Sequence, residues 1–397
     1  MPIPTITVDP FAIQVIADDP WPAIAPSTGA GIAQWVEAML ARAGDATIEA
    51  TITGHIWISD RWQAEITVNG KRHSEDAAFD QGHHCLYRLV QFAASELKLD
   101  LPDPLTRAFD DWQTHSPGAL LAYFAGDYRR AFELDPAMPA PRIALARQQL
   151  ARNDARAAAG LMQGATVHDA QAAAELGIAI WAGAPGTGEA AAAVAEIAAL
   201  LLQQAVKANP DDAVAAAALA ALLVRRGAEG QALDEALLLA THATQLAADD
   251  FRCWAALADV HRAQGDMQQA GFFYGFALRL EPNAPTVLKD AAATWLIARD
   301  LDRALPLIEQ ALALAPTDAE NWGNLAFARD LAGTPAPALE AARHATGANP
   351  ADPRLHILHG DLAFKAGKKT EALDAWARAT AIDSSLLINP QGGNIGI

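Results

Sequence analysis

The sequence predicts a small α+β domain followed by an all-α solenoid of stacked helix pairs. Three observations lead there. Apolar residues alternate with a period of two between Ile48 and Phe79, as in strands with one covered face. Further along, short phrases recur at a fixed helical-repeat period. The chain has 397 residues, too many for one ordinary core, and is 52% apolar, too apolar for disorder. The expected division is residues 1–105 for the α+β domain, 106–383 for the repeats and 384–397 for a tail.

The N-terminal elements come in order. Phe11 to Ala17 is an apolar run that reads as a strand. Ile32, Trp35, Val36, Met39 and Leu40 share one face of a helix. Ile48, Ile52, Ile56 and Ile58 oppose Glu49, Thr51, Thr53 and His55, a half-buried strand. Ser59-Asp60 turns the chain, and Trp62, Ala64, Ile66 and Val68 alternate back. Asn69-Gly70 is a strong hairpin signal, so Arg72 to Phe79 becomes the next strand. Leu86, Leu89, Val90, Ala93 and Leu97 mark a second helix. The order is β-α-β-β-β-α, with both helices on one side of the sheet. In that order, and in the stretch ATITGHIWISDRWQAEITVNGKRHSEDAAFD ahead of a helix, the segment resembles a known domain. It is the one that precedes helical repeats in bacterial adenylate-cyclase-associated and TolB-like regulators. That motif brings no catalytic residue with it.

The repeats are anchored by prolines: 316 − 282 = 34 and 350 − 316 = 34 for Pro282, Pro316 and Pro350. Ala270, Ala304, Ala338 and Ala372 keep the same phase, as do Ala277, Ala311, Ala345 and Ala379. Gly265, Gly333 and Gly367 mark one turn. Trp254 and Trp322 stand two periods apart, with Leu288 between and His356 after them. Small residues let paired helices approach, Trp fills the space between neighbours, and Pro ends a helix. This pattern resembles the tetratricopeptide repeat, with its Trp-x-x-Leu-Gly on the first helix and terminal Pro. The family's glycine is Ala258, Ala292 and Ala326 here, and returns as Gly360. The resemblance implies a right-handed superhelix whose concave face binds a protein or peptide. Four regular repeats span 251–383. One whose end marker falls 38 residues after the previous one (248 − 210) covers 211–250, two enlarged ones fill 137–210, and a short one occupies 112–136: about eight helix pairs.

Charge and composition narrow the functions. A net charge of −18 and a pI near 4.9 disfavour nucleic acid and anionic bilayers. The start MPIPTITVDP lacks the basic and apolar regions of a secretory signal. Ala190 to Ala208 is apolar but alanine-dominated, which suits a packed helix better than a membrane span. Two lone cysteines, Cys85 and Cys253, suit a reducing cytoplasm.

GIAIWAGAPGTGEAAA, residues 177–192, superficially resembles a phosphate-binding loop. Where such a loop needs Lys and then Ser or Thr, this chain has Glu189 and Ala190. A helix over 169–182, a turn and a helix over 189–208 is the better reading. His83-His84-Cys85 clusters metal-capable side chains, but neighbours on a helix diverge by about 100°. His356 and His359 occupy the Trp and Leu positions of the last repeat and are expected to pack. No Gly-x-Ser-x-Gly elbow is present. The sequence therefore predicts no enzyme, no cofactor and no metal.

By the resemblance, the groove is lined by fixed positions of each first helix. These hold Arg252, Ala255, Asp259 and Arg262, then Thr286, Lys289, Leu296 and Ile297. Glu320, Phe327 and Asp330 follow, and last Arg354, Ile357, Asp361, Phe364 and Lys365. Ala255 and Asp259 depart from the clamp that grips acidic C-terminal peptides. The expected function is a scaffold or adaptor that binds a protein or peptide; the alternative is a regulatory or metal-dependent protein acting through the α+β domain. At the C-terminus, Leu373, Trp376 and Thr380 are expected to face outward, covered by the tail or by a second copy in a homodimer.

Overall fold

A computed structural model describes residues 6–15, 27–42, 50–58, 61–78, 81–99, 101, 107–114, 116–184, 189–383 and 386. The chain forms two compact units, Met1–Leu222 and Leu223–Ile397. The expected turns at Ser59-Asp60 and Pro185–Gly188, and residues 384–385 and 387–397 of the tail, lie outside the described residues.

In the first unit the sheet is built around β3 (Ala50–Ile58). β1 (Ile6–Val8) and β2 (Ala12–Val15) both pair with β3 in parallel, reached through helix α1 (Ser27–Arg42). The first strand is thus in two pieces, where the sequence suggested one from Phe11. Pro10 sits at the break, because proline has no N–H for a ladder. β4 (Arg61–Val68) and β5 (Lys71–Ala78) continue the sheet antiparallel. Their turn places Asn69 at φ 51° and Gly70 at φ 82°, the two left-handed residues that a tight hairpin requires. Ile52, Ile56, Ile58, Trp62, Ala64, Ile66 and Val68 are buried, while Thr51, His55 and Gln63 point to solvent. One face is therefore covered: α1 packs on β1 and β2, and α2 (Gly82–Glu96) on β4 and β5. This core runs on into Phe109, Leu120, Leu121 and Phe124, so the sheet layer and the first helical hairpin share it.

The helical part is a run of hairpins. The first unit holds α3 (Pro117–Phe124) with α4 (Tyr128–Leu134), then α5 (Pro139–Ala151) with α6 (Ala155–Met162). α7 (Ala170–Ala182) pairs with α8 (Glu189–Ala208), and most of α9 (Ala213–Arg225) follows. α8 is long and apolar enough to cross a membrane; here Val194, Ala198, Leu201, Leu202 and Ala205 are buried, and it packs against α7. Ile178 to Trp181 is helical rather than the strand that would precede a phosphate loop.

The second unit begins within α9 and continues with α10 (Gln231–Leu246). Four regular hairpins follow: α11 (Phe251–Ala263) with α12 (Met267–Leu280), and α13 (Pro285–Ile297) with α14 (Leu301–Leu314). α15 (Ala319–Leu331) pairs with α16 (Pro335–Ala348), and α17 (Pro353–Lys365) with α18 (Lys369–Ile382). First helices also touch first helices: α11 meets α13, α13 meets α15, and α15 meets α17. This is the array of stacked helical hairpins that the sequence resemblance implies.

Aspartates start the helices. Asp127, Asp154, Asp169, Asp250, Asp266, Asp300, Asp318 and Asp352 each accept a backbone N–H from the first turn of the helix they precede. Each such cap contributes about 1 kcal/mol.

Within a hairpin, facing residues trade size. Tyr274, Ile308, Ala342 and Trp376 are in phase on the second helices, and Ala258, Ala292, Ala326 and Gly360 on the first. The largest faces the smallest: a Cβ at Gly360 would lie 2.3 Å from Trp376 Cδ1. Trp376 is therefore only 4% exposed, contrary to the outward orientation expected from its place in the last repeat. Its Nε1 donates to Asp361 at 3.0 Å. Leu373 does face outward, at 51% exposure, and Thr380 is half-buried with its hydroxyl on the Trp376 and Ala377 carbonyls.

The repeated tryptophans also behave differently from the interior fillers expected. Trp254 and Trp322 are half-buried. Trp254 Nε1 donates to the Ala248 carbonyl at 2.8 Å, and Trp322 Nε1 to that of Pro316 at 2.7 Å. His356 Nε2 lies 3.0 Å from the Pro350 carbonyl, in the same phase and six residues on. In three of the four regular repeats the position thus ties the first helix back to the preceding turn through a ring N–H, which Leu288 cannot supply. That is why His can replace Trp.

Candidate protein-binding groove

The first helices of the second unit place their polar residues around one groove of about 480 Å³. Arg225 comes from the end of α9, Asp259 and Arg262 from α11, Lys289 and Asp290 from α13, and Glu320 from α15. Residues 259 and 262 are one helical turn apart, so α11 presents both on a single face.

Every charged head in the groove has a partner. Asp259 is buried and accepts from the Tyr274 hydroxyl at 2.5 Å and from Arg262 Nη2 at 3.0 Å. Arg262 reaches a second carboxylate, Asp290, at 3.9 Å, and Arg225 holds that carboxylate at 3.2 Å. Lys289 pairs with Glu320 across α13 and α15. Burial and the nearby Asp259 push the Asp290 carboxyl above its usual range. Burial, and then the Asp259 charge, push the Tyr274 phenol upward as well, so it stays a hydrogen-bond donor. Arg262 Nε is buried without an acceptor.

The groove residues read from sequence fall in different places. Asp259, Arg262, Lys289 and Glu320 line the cavity together. Asp330 and Lys365 pair at 2.5 Å further along, Phe327 stands exposed on α15, and Asp361 takes the Trp376 indole with Phe364 beside that ring. Arg252 and Arg354 instead grip Asp250 and Asp352 at their own helix starts, holding both carboxyls below the usual range. Leu296 is 3% exposed and packs in the core, while its neighbour Ile297 stands 58% exposed. One residue on a helix is a rotation of about 100°, enough to exchange inside for outside.

Sequence reasoning missed Arg225 and Asp290. Arg225 belongs to the enlarged repeat, outside the register from which the groove was mapped. Asp290 adjoins a mapped position, and its carboxylate joins two cations from neighbouring repeats. Only the stacking of repeats reveals that.

Elsewhere, Cys85 is buried with its thiol towards the Trp62 carbonyl at 3.7 Å, and the His83 and His84 rings lie 4.2 Å apart. Among the described residues, no three His, Cys, Asp or Glu side chains gather as a metal site would need. His359 Nε2 contacts Glu371 at 2.9 Å, so both histidines of the last repeat make packing or ion-pair contacts.

No family model matches the sequence, and no curated protein matches it. Solved structures do. Residues 41 to the end of MamA from Desulfovibrio magneticus RS-1 are 22% identical, with 43% of this chain and 96% of that one covered, at a TM-score of 0.38. YrrB, described as a TPR protein with an unusual peptide-binding site, is 18% identical over 46% of this chain and 92% of its own, at 0.37. TTC0263, a TPR protein of Thermus thermophilus, is 20% identical over 49% and 99%, at 0.41.

Proposed function

We propose that this tetratricopeptide-type chain is a non-enzymatic scaffold that binds a protein or peptide along the groove formed by its first helices. The observation that carries the reading is the balanced ion-pair lattice of Arg225, Arg262, Lys289, Asp259, Asp290 and Glu320 around an open cavity. Paired charges do no chemistry, but they select partners. A peptide that enters must offer both charge signs to exchange with existing pairs, and a mismatched sequence leaves a charge unpaired. The overall acidity supports a protein partner over nucleic acid or an anionic membrane, and the cytoplasm is the compartment we propose. Self-association through α18, where Leu373 stands exposed, belongs to the same proposal and is read by light scattering.

The test is selection of peptides from a random display library on the full chain, followed by binding measurements with Lys289→Glu and Arg262→Gln. Selected peptides should carry both signs of charge and lose at least about tenfold in affinity to either variant, as expected when a charged pair is broken. Peptides that bind both variants like the parent chain would refute the groove as the site.

A further inference from the structure

The second helices of the four regular repeats share a register, and α12 departs from it on its exposed side. Position 272 is Phe, where the same phase holds Pro306, Glu340 and Asp374, all exposed. Position 275 is Gly, where the others have Glu309, Arg343 and Ala377. Position 276 is Phe, where the others have Gln310, His344 and Arg378. Phe276 has a task inside its repeat: the ring stacks on Trp254 at 4.9 Å, as His344 stacks on Trp322 at 4.5 Å. Phe272 reaches no such partner on α11. It meets Phe276 edge-on at 4.9 Å and stands 56% exposed.

Phe272, Gly275, Phe276 and Arg279 follow the spacing of one helical stripe. The middle of the stripe is a notch, because nothing lies within 4 Å of a Cβ added at Gly275. At its far end the Arg279 guanidinium lies over the Phe276 ring, 3.9 Å from the centre. Among the described residues Arg279 pairs with no carboxylate, whereas Arg303, Arg343 and Arg354 each hold one. The helix itself has no Asp or Glu, alone among α10 to α18, in a chain of net charge −18.

A low point between large exposed rings is what an approaching helix can use. Glycine lets two helix backbones come close, and the space above it takes one side chain of the partner as a knob. The rings beside it keep water from that contact. The charge then selects the partner's sign. A cationic segment would meet an uncompensated guanidinium at the edge of the notch, while a carboxylate would gain a charge-assisted hydrogen bond there.

We propose that this stripe of α12 docks an acidic amphipathic helix of another protein, with an apolar side chain over Gly275 and a carboxylate on Arg279. The site is separate from the groove, whose charged residues come from first helices, and it does not rest on that reading.

The probes are fluorescein-labelled, alanine-based helical peptides of about 16 residues with one Leu per turn. Beside the leucines one peptide carries Glu, the second Gln and the third Lys. Anisotropy titrations with the full chain at about 0.15 M salt should rank them in that order, with at least about tenfold between first and last. The net charge of the chain favours the reverse order, so its overall field cannot produce this one. Arg279→Gln should level the three peptides. Phe272→Ser, and Gly275→Gln, which fills the notch, should each weaken the Glu peptide at least about tenfold. Lys289→Glu, in the groove, should leave it unchanged. Four outcomes would overturn the proposal. The Lys peptide binds as tightly as the Glu peptide; no peptide binds at about 1 mM; or the three α12 variants bind like the parent. In the fourth, light scattering shows a dimer that Phe272→Ser makes monomeric, so that a second copy occupies the stripe. Should Phe272→Ser lower the urea midpoint, Gly275→Gln and Arg279→Gln decide, since the glutamine at 275 enters open space.

Discussion

Gly271 and Gly275 lie one turn apart on α12 and should respond oppositely to the same substitution. In a helix interior, Gly→Ala gains about 0.5–1 kcal/mol, because glycine loses more backbone freedom on folding. At Gly275 nothing lies within 4 Å of an added Cβ, so the gain should appear in full. At Gly271 the Cβ would lie 2.1 Å from Cζ2 of Trp295 on the neighbouring repeat. That ring cannot swing away easily: it is 7% exposed, and the Arg303 guanidinium covers it at 4.4 Å from the ring centre. Overpacking of this kind costs about 1–3 kcal/mol. Gly271→Ala should therefore lose about 1–2 kcal/mol net, while Gly275→Ala gains up to about 1 kcal/mol. Urea unfolding followed by circular dichroism measures both. Because repeat arrays can unfold in parts, hydrogen exchange of α12 and α13 amides should accompany it. If Gly271→Ala proves as stable as Gly275→Ala, Trp295 does not lie over α12, and the contact between these repeats is wrong.

Other perturbations probe the last repeats. Gly360→Ala should lose about 1–3 kcal/mol by pressing on Trp376, and adding Trp376→Tyr, which recreates the Ala258–Tyr274 pair, should restore most of it in a double-mutant cycle. Trp322→Phe should cost about 1 kcal/mol in denaturant unfolding, the worth of its hydrogen bond to the Pro316 carbonyl. Glu371 is held down to about 2, chiefly by Arg343 at 2.7 and 2.9 Å and also by His359. Its folded value lies below the ordinary value of about 4.3, so it stabilises the fold above that pH and stops doing so as pH falls towards 2. On this exposed pair the contribution is at most about 1 kcal/mol, so the gap between parent and Glu371→Gln should be present at pH 7 and close by pH 2.

The parts of this structure that depend on local signals were readable in advance. The helix expected over 169–182 is found at Ala170–Ala182, started by Asp169, and the one over 189–208 at Glu189–Ala208, because signals of this kind act within a few positions. The hairpin at Asn69-Gly70 is local in the same way. What escaped depends on contacts between distant segments. Trp376 was expected outside because its cover, Gly360, adds no bulk to a sequence pattern. Leu296 was assigned to the groove by a register that is one residue from the surface.

The acidity of the chain also acquires a different meaning. From sequence, a charge of −18 reads as a surface property that repels nucleic acid. In the structure, much of the carboxylate is committed to the fold. The capping aspartates take helix N–H groups, where the positive end of the helix dipole favours them. Asp250 and Asp352 combine that role with an ion pair to Arg252 and Arg354. In the groove itself the count is even: Arg225, Arg262 and Lys289 against Asp259, Asp290 and Glu320. Capping carboxylates still contribute to the long-range field, but a Debye length of about 8 Å at physiological salt confines their reach. A partner at the proposed groove would therefore meet local pairs rather than the net charge. Its sequence would be constrained by the order of charges from Arg225 to Glu320, and the pI carries no information about that order.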